Sequence, residues 1–156
     1  MISKPQNATA EFFVNFVRDW FKGIASGAWQ EAFTRIDLAP NFGEPYSPQR
    51  FRHEVENDHF CDGTVFRKRH PEGIAYSDPN TIGESQYVEL YPLRGEHEWV
   101  SDDLEDEVAR CLREGWSIEV EHPIPLNGEW SDLTACFQFV DQGDNYAVRL
   151  DWLHVL

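Results

Sequence analysis

The clearest alternation of apolar and polar positions lies at the C-terminal end of the chain. Leu133, Ala135, Phe137 and Phe139 share one parity, with Thr134, Cys136 and Gln138 on the other. After the turn cluster Asp141-Gln142-Gly143-Asp144-Asn145, residues Tyr146, Val148, Leu150 and Trp152 alternate with Ala147, Arg149 and Asp151. Strand side chains point to opposite faces in turn, so the two runs predict an antiparallel hairpin whose apolar face needs a cover. The cover is predicted near the other end. From Thr9, a good N-cap, Phe12, Phe13, Phe16, Val17, Trp20, Phe21 and Ile24 recur at helical spacing, and Asn15, Arg18, Asp19 and Lys22 fill the wet side.

The remaining elements follow from the same periodicities. Residues 1–8 read as a loose tail. Ser26-Gly27 ends the first helix, and a shorter one runs from Ala28 to about Ile36, with Trp29, Phe33 and Ile36 on one face. Pro40, Gly43 and Pro45 make a loop, and Ser47-Pro48 opens a third helix that fades near Phe60. Thr64–Arg69 reads as an edge strand or loop, 71–85 as irregular, and Gln86–Leu90 as a strand ended by Pro92. A fourth helix is expected over 101–113, with Leu104, Val108, Cys111 and Leu112 facing in and Gly115 stopping it. Trp116–Glu121 alternates as a strand, and Pro123-Ile124-Pro125 and Asn127-Gly128 connect it to the final hairpin. The expected class is a single α+β domain over 1–156: N-terminal helices on a curved, mostly antiparallel, cone-like sheet, with an extra helix near 101–113.

Charge sharpens this picture. The formal net charge is -15, with 9 Lys+Arg against 11 Asp+Glu in residues 1–78 and 4 against 17 in residues 79–156. Such a field repels nucleic acid and anionic membrane and attracts a basic protein. No apolar run reaches membrane-spanning length, and the first residues lack the apolar core of a signal peptide. Cys61, Cys111 and Cys136 are widely spaced and form no CxxC, which points to a reducing, cytoplasmic compartment.

The stretch Ser26 to Asp37, SGAWQEAFTRID, together with the final hairpin, resembles the nuclear transport factor 2-like superfamily. That resemblance implies a curved sheet wrapped around the long first helix, enclosing a cone-shaped cavity. Here the cavity would be lined by Trp20, Trp29, Phe137, Tyr146, Trp152 and His154, and would suit a small apolar ligand. The helix at 101–113 departs from the family's run of consecutive strands. Members include isomerases, dehydratases, epoxide hydrolases, carrier subunits and non-enzymatic modules, so the fold leaves activity open. No catalytic residue of the family maps onto this chain.

Motifs for chemistry are sparse. His53-Glu54-Val55-Glu56-Asn57 approaches the zinc motif HExxH, but Asn57 stands where the second histidine is needed. The run Asp102-Asp103-Leu104-Glu105-Asp106-Glu107 lacks the glycine and spacing of a calcium loop. No GxSxG, GxGxxG or P-loop occurs, and no metal or cofactor is expected. Continued alternation places His154 on the apolar, helix-facing side, where it would serve as an acid/base group with Asp37 and Tyr46 at the cavity mouth. Arg149 and Asp151 are expected on the opposite face, as a surface pair with Gln138 and Thr134.

Two functions therefore stand open. The first is a non-enzymatic binding module of the immunity-protein type, docking a basic partner such as a toxin through Glu96, Glu98, Asp102, Asp103, Glu105, Asp106 and Glu107. The second is a small-molecule cavity protein or acid/base enzyme of the isomerase/dehydratase kind. A homodimer is compatible with either.

Overall fold

In the computed structural model, which describes residues 1–7, 9–85, 87–93 and 103–155, the stretch after Thr9 is a 16-residue helix, α1 (Ala10–Ala25). Its buried stripe is Phe13, Phe16, Val17, Trp20, Phe21 and Ile24, as a 3.6-residue period requires. Helix α2 (Trp29–Thr34) follows. Helix α3 (Pro48–His53) is capped by Ser47, whose hydroxyl accepts from the Arg50 N–H at 3.1 Å, and continues as a π-helical stretch, Glu54–His59.

Among the described residues the sheet has five antiparallel strands: β1 (Ile2–Ser3), β2 (Glu89–Leu93), β3 (Ser117–Leu126), β4 (Glu129–Asp141) and β5 (Asn145–Val155), in the order β1-β5-β4-β3-β2. Helices on one side of this open sheet make the α+β architecture expected from the sequence. The C-terminal hairpin and α1 share one core. Trp20 meets Phe137 edge-on at 5.3 Å, Phe16 meets Phe139 at 5.4 Å, and Phe13 touches both Phe139 and Tyr146. Such edge-to-face pairs add to the burial of large rings. The Trp20 Nε1–H donates to the Ala32 carbonyl at 2.9 Å, which ties α2 to α1.

Helix α5 (Leu104–Glu114) lies on the same side, with Val108 and Cys111 buried near Leu90, Pro92 and Ile118. The inward face expected from the sequence holds at Val108, Cys111 and Leu112, while Leu104 is 38% exposed and Glu107 is buried beside them. Gly115 ends α5 at φ 69, the left-handed cap that glycine adopts without a Cβ penalty.

Several segments differ from expectation for local reasons. The N-terminal tail is anchored: Ile2 pairs with Tyr146 and Ser3 with Asn145, and Lys4 forms an ion pair with Asp141. Thr64–Arg69 contains a short helix, α4 (Val65–Arg69), because the Thr64 hydroxyl caps the Arg67 N–H at 3.2 Å and Phe66 turns inward. Pro92 lies inside β2, which is tolerable because, among the described residues, β2 pairs only with β3 and an edge strand need not donate from that N–H. The Pro123-Ile124-Pro125 segment belongs to β3 instead of connecting it, and the two prolines bracket a shift in pairing with β4. Asn127 (φ 51) and Gly128 (φ 78) then form a two-residue turn with both residues left-handed.

The main correction concerns β5. Cys136 pairs with Trp152 but Phe137 pairs with Leu150, so Asp151 is an extra residue. A bulge of this kind reverses every later side chain. Tyr146, Val148 and Leu150 face the helices, as expected. Beyond the bulge Leu153, paired with Ala135, takes the inward position, while Trp152 and His154 pass to the other face.

Candidate functional site

With α1, α2 and α5 on one side, the opposite face of the sheet carries no helix among the described residues. Register alone places its side chains in rows. Glu89, Glu121, Cys136 and Trp152 lie side by side across β2, β3, β4 and β5. Tyr91, Glu119, Gln138 and Arg149 form the next row, and Thr134 pairs with His154 on the far side. Carboxylates from two neighbouring strands thus meet on one surface.

A hydrogen-bond network fixes the middle of this surface. Gln138 Nε2 donates to Glu119 Oε2 at 2.8 Å and to Asp151 Oδ2 at 3.0 Å, while Gln138 Oε1 accepts from Arg149 Nη1 at 2.8 Å. The loop after α2 folds over the β5 edge and joins in. Arg149 Nε donates to the Ala39 carbonyl at 2.9 Å, and the Asn41 backbone N–H and side-chain amide donate to Asp151 at 2.6 and 2.9 Å. The bulged residue Asp151 is therefore the anchor for that loop. Next to the two joined residues stand two exposed rings: Phe42, 90% exposed, follows Asn41, and Trp152, 40% exposed, follows Asp151.

The electrostatics follow from crowding. Burial holds the Glu121 carboxyl above its ordinary range. His154, whose Nε2 lies 3.6 Å from Glu121 Oε2, works against that shift, and the like charges of Glu119 and Glu89 reinforce it. The His154 ring is stacked on Trp152 at 4.3 Å. Burial, then Glu119, pushes the Cys136 thiol up, which makes it a poor nucleophile. Glu89 accepts from the Tyr91 hydroxyl.

The acid/base trio expected at a cavity mouth is not assembled. Asp37 accepts from the Val148 N–H at 2.9 Å and its own N–H donates to the Val148 carbonyl at 2.7 Å, which makes it a latch for the β5 edge. His154 stands six positions further along β5, roughly 17–20 Å away at strand spacing. The Tyr46 hydroxyl donates to Glu54 Oε2 at 2.7 Å, and burial and that carboxylate push its pKa up. Of the residues expected to line a cavity, Trp20, Phe137 and Tyr146 are fully buried among other rings. Trp29 packs on Tyr76 at 4.8 Å, and Trp152 and His154 lie outside the core.

The acidic run is also redistributed. Glu96, Glu98 and Asp102 lie outside the described residues. Asp103 caps α5, accepting from the Glu105 and Asp106 N–H groups at 2.9 and 3.3 Å. Glu105 reaches across to α1, where its carboxylate accepts from the Ala10 N–H at 3.1 and 3.3 Å; the Thr9 side chain makes no capping bond there. Glu107 is buried, so only Asp106 of these four is exposed without such a hydrogen-bonding role. Among the described residues no group of three or more His, Cys, Asp or Glu side chains is placed to hold a metal ion, and the Asn57 amide meets His53 Nδ1 at 3.3 Å. Also among them, no helix is long and apolar enough to cross a membrane.

Sequence reasoning missed Glu89, Glu119 and Glu121 as a group. The alternation Trp116-Ser117-Ile118-Glu119-Val120-Glu121 does put both β3 glutamates on the polar parity, but their neighbours depend on register. Compared with known protein families, with functionally described proteins and with solved structures, the chain matches none.

Proposed function

We propose that this chain is a non-enzymatic binding module that docks a basic protein partner through its acidic C-terminal half, in the manner of an immunity protein holding a toxin. The observation that carries this reading is the acidic sheet face, which bears no helix among the described residues, with Glu119 and Glu121 on β3 and Glu89 beside them on β2. A rigid sheet with carboxylates on one surface attracts and orients a cationic protein without catalysing anything. Cys136 is unsuited to nucleophilic attack, and Asp37, Tyr46 and His154 are engaged at separate places. The proposal includes a reducing, cytoplasmic setting, consistent with three cysteines that form no disulfide. It keeps the likeness to the nuclear transport factor 2-like superfamily only as a proposed fold relationship.

The test is a stopped-flow measurement against the protein encoded beside this one, purified separately. A 1:1 complex is expected, with an association rate that falls about tenfold or more as salt is raised across the range where the screening length shortens from about 10 to 3 Å. A neighbour-encoded partner whose association rate ignores salt, or the absence of any complex, refutes the reading.

A further inference from the structure

We propose that the partner is received at the edge of the outer sheet face around Trp152 and Phe42, not on the acidic start of α5, and that it presents there arginine or lysine side chains flanking an apolar contact. This rests on the binding-module reading and names its surface. Two observations converge. Interfaces derive most of their energy from a few aromatic anchors, and the Asn41–Asp151 hydrogen bonds join the segment that carries the exposed Phe42 to the strand that carries the exposed Trp152. The acidic groups beside them, Glu89, Glu119 and Glu121, have Arg149 as their neighbouring cation, and Arg149 is engaged by Gln138 and the Ala39 carbonyl.

The same features decide against other occupants. A second copy carries the same -15 charge and would set like-charged faces together, and nucleic acid is repelled for the same reason. The α5 run is weaker as a receiver because Asp103 and Glu105 serve as helix caps and Glu107 is buried. By contrast, the Glu119–Gln138–Asp151–Asn41 network holds this face in one arrangement before any partner arrives, which lowers the cost of binding.

The experiment uses the full chain, isotope-labelled, titrated with a synthetic amphipathic peptide carrying arginines beside a leucine and tryptophan stripe. The same peptide with glutamate for arginine is the control. Saturable amide shifts are expected at 119–121, 136–138 and 149–154 with the arginine peptide alone. Trp152→Ala should weaken binding about tenfold or more, and Asp106→Asn less than about twofold. Phe42→Ala, at a more exposed position, serves as the second variant, and circular dichroism checks that each is folded. Saturable shifts centred on 103–107, unaffected by Trp152→Ala, overturn the surface while leaving a basic-partner module standing. No saturable response anywhere to the arginine peptide overturns both. Concentration-dependent dimerisation abolished by Trp152→Ala gives the face to a second copy and overturns the proposal.

Discussion

His122 makes the stability of this protein depend on pH in a window where most soluble domains are steady. The ring is fully buried on the helix side of β3, touching Phe21 of α1 and the Trp130 ring. Its Nδ1 lies 2.8 Å from the Pro123 carbonyl, and its Nε2 has no hydrogen-bond partner. Burial lowers its pKa from 6.5 to about 4; the Pro123 carbonyl opposes that shift and Arg18 of α1 adds to it. Between these values the unfolded chain binds a proton that the folded chain refuses, so stability is complete above pH 6.5 and is lost as pH falls towards 4. Through the factor of about 1.4 kcal/mol per pH unit, the gap corresponds to about 3 kcal/mol, a large share of a typical domain's stability. The assay is urea unfolding followed by tryptophan fluorescence between pH 7.5 and about 4, for the natural chain and for His122→Gln, which keeps a donor for Pro123 but cannot titrate. The carboxylates titrate in both proteins and cancel in the difference. That difference should change by about 2 kcal/mol between pH 7 and about 5, in favour of the variant at acid pH. A difference independent of pH would show that the ring is not held neutral by the core.

Three further outcomes are expected. Trp20→Ala should cost about 3–5 kcal/mol in the same unfolding assay, because it removes a fully buried indole packed on Phe33, Phe51 and Phe137 as well as its bond to Ala32. Glu105→Ala should cost about 0.5–2 kcal/mol by uncapping α1, whereas Asp106→Ala stays within about 0.5 kcal/mol; equal effects would deny the cap. Because the Glu121 carboxyl is held above its ordinary range, its share of stability is present at low pH and lost as pH rises through its folded value. Glu121→Gln should therefore be more stable than the natural chain at pH 7, with the advantage vanishing in acid; equal unfolding midpoints at both pH values would contradict this.

Elements with one dominant local signal were legible in the sequence. The stripe from Phe13 to Ile24, Ser47-Pro48 as a helix opening and Gly115 as a stop all rest on nearest-neighbour chemistry, and each is in place. Thr64–Arg69 was harder because a five-residue helix offers barely one turn of periodicity, with Phe66 as its single buried residue. The outer face was lost through one residue. Alternation carried past Leu150 assigns Trp152 and His154 to the core, and nothing local marks Asp151 as the extra position; what selects it is the pair of bonds from Asn41, over a hundred residues away. The candidate site was invisible for the same reason, since Glu89 and Glu121 become neighbours only through strand register.

The Glu105 carboxylate has a consequence for how the molecule opens. It belongs to α5, yet it occupies the first backbone donor of α1. When α5 detaches from the sheet, α1 must lose its cap at the same moment, so the two helix starts cannot fray separately. In amide hydrogen exchange the Ala10 N–H should share the opening free energy of α5 instead of that of a free helix end. Two segments 95 positions apart in the chain thus behave, at their N-termini, as one cooperative unit linked through the Glu105 side chain.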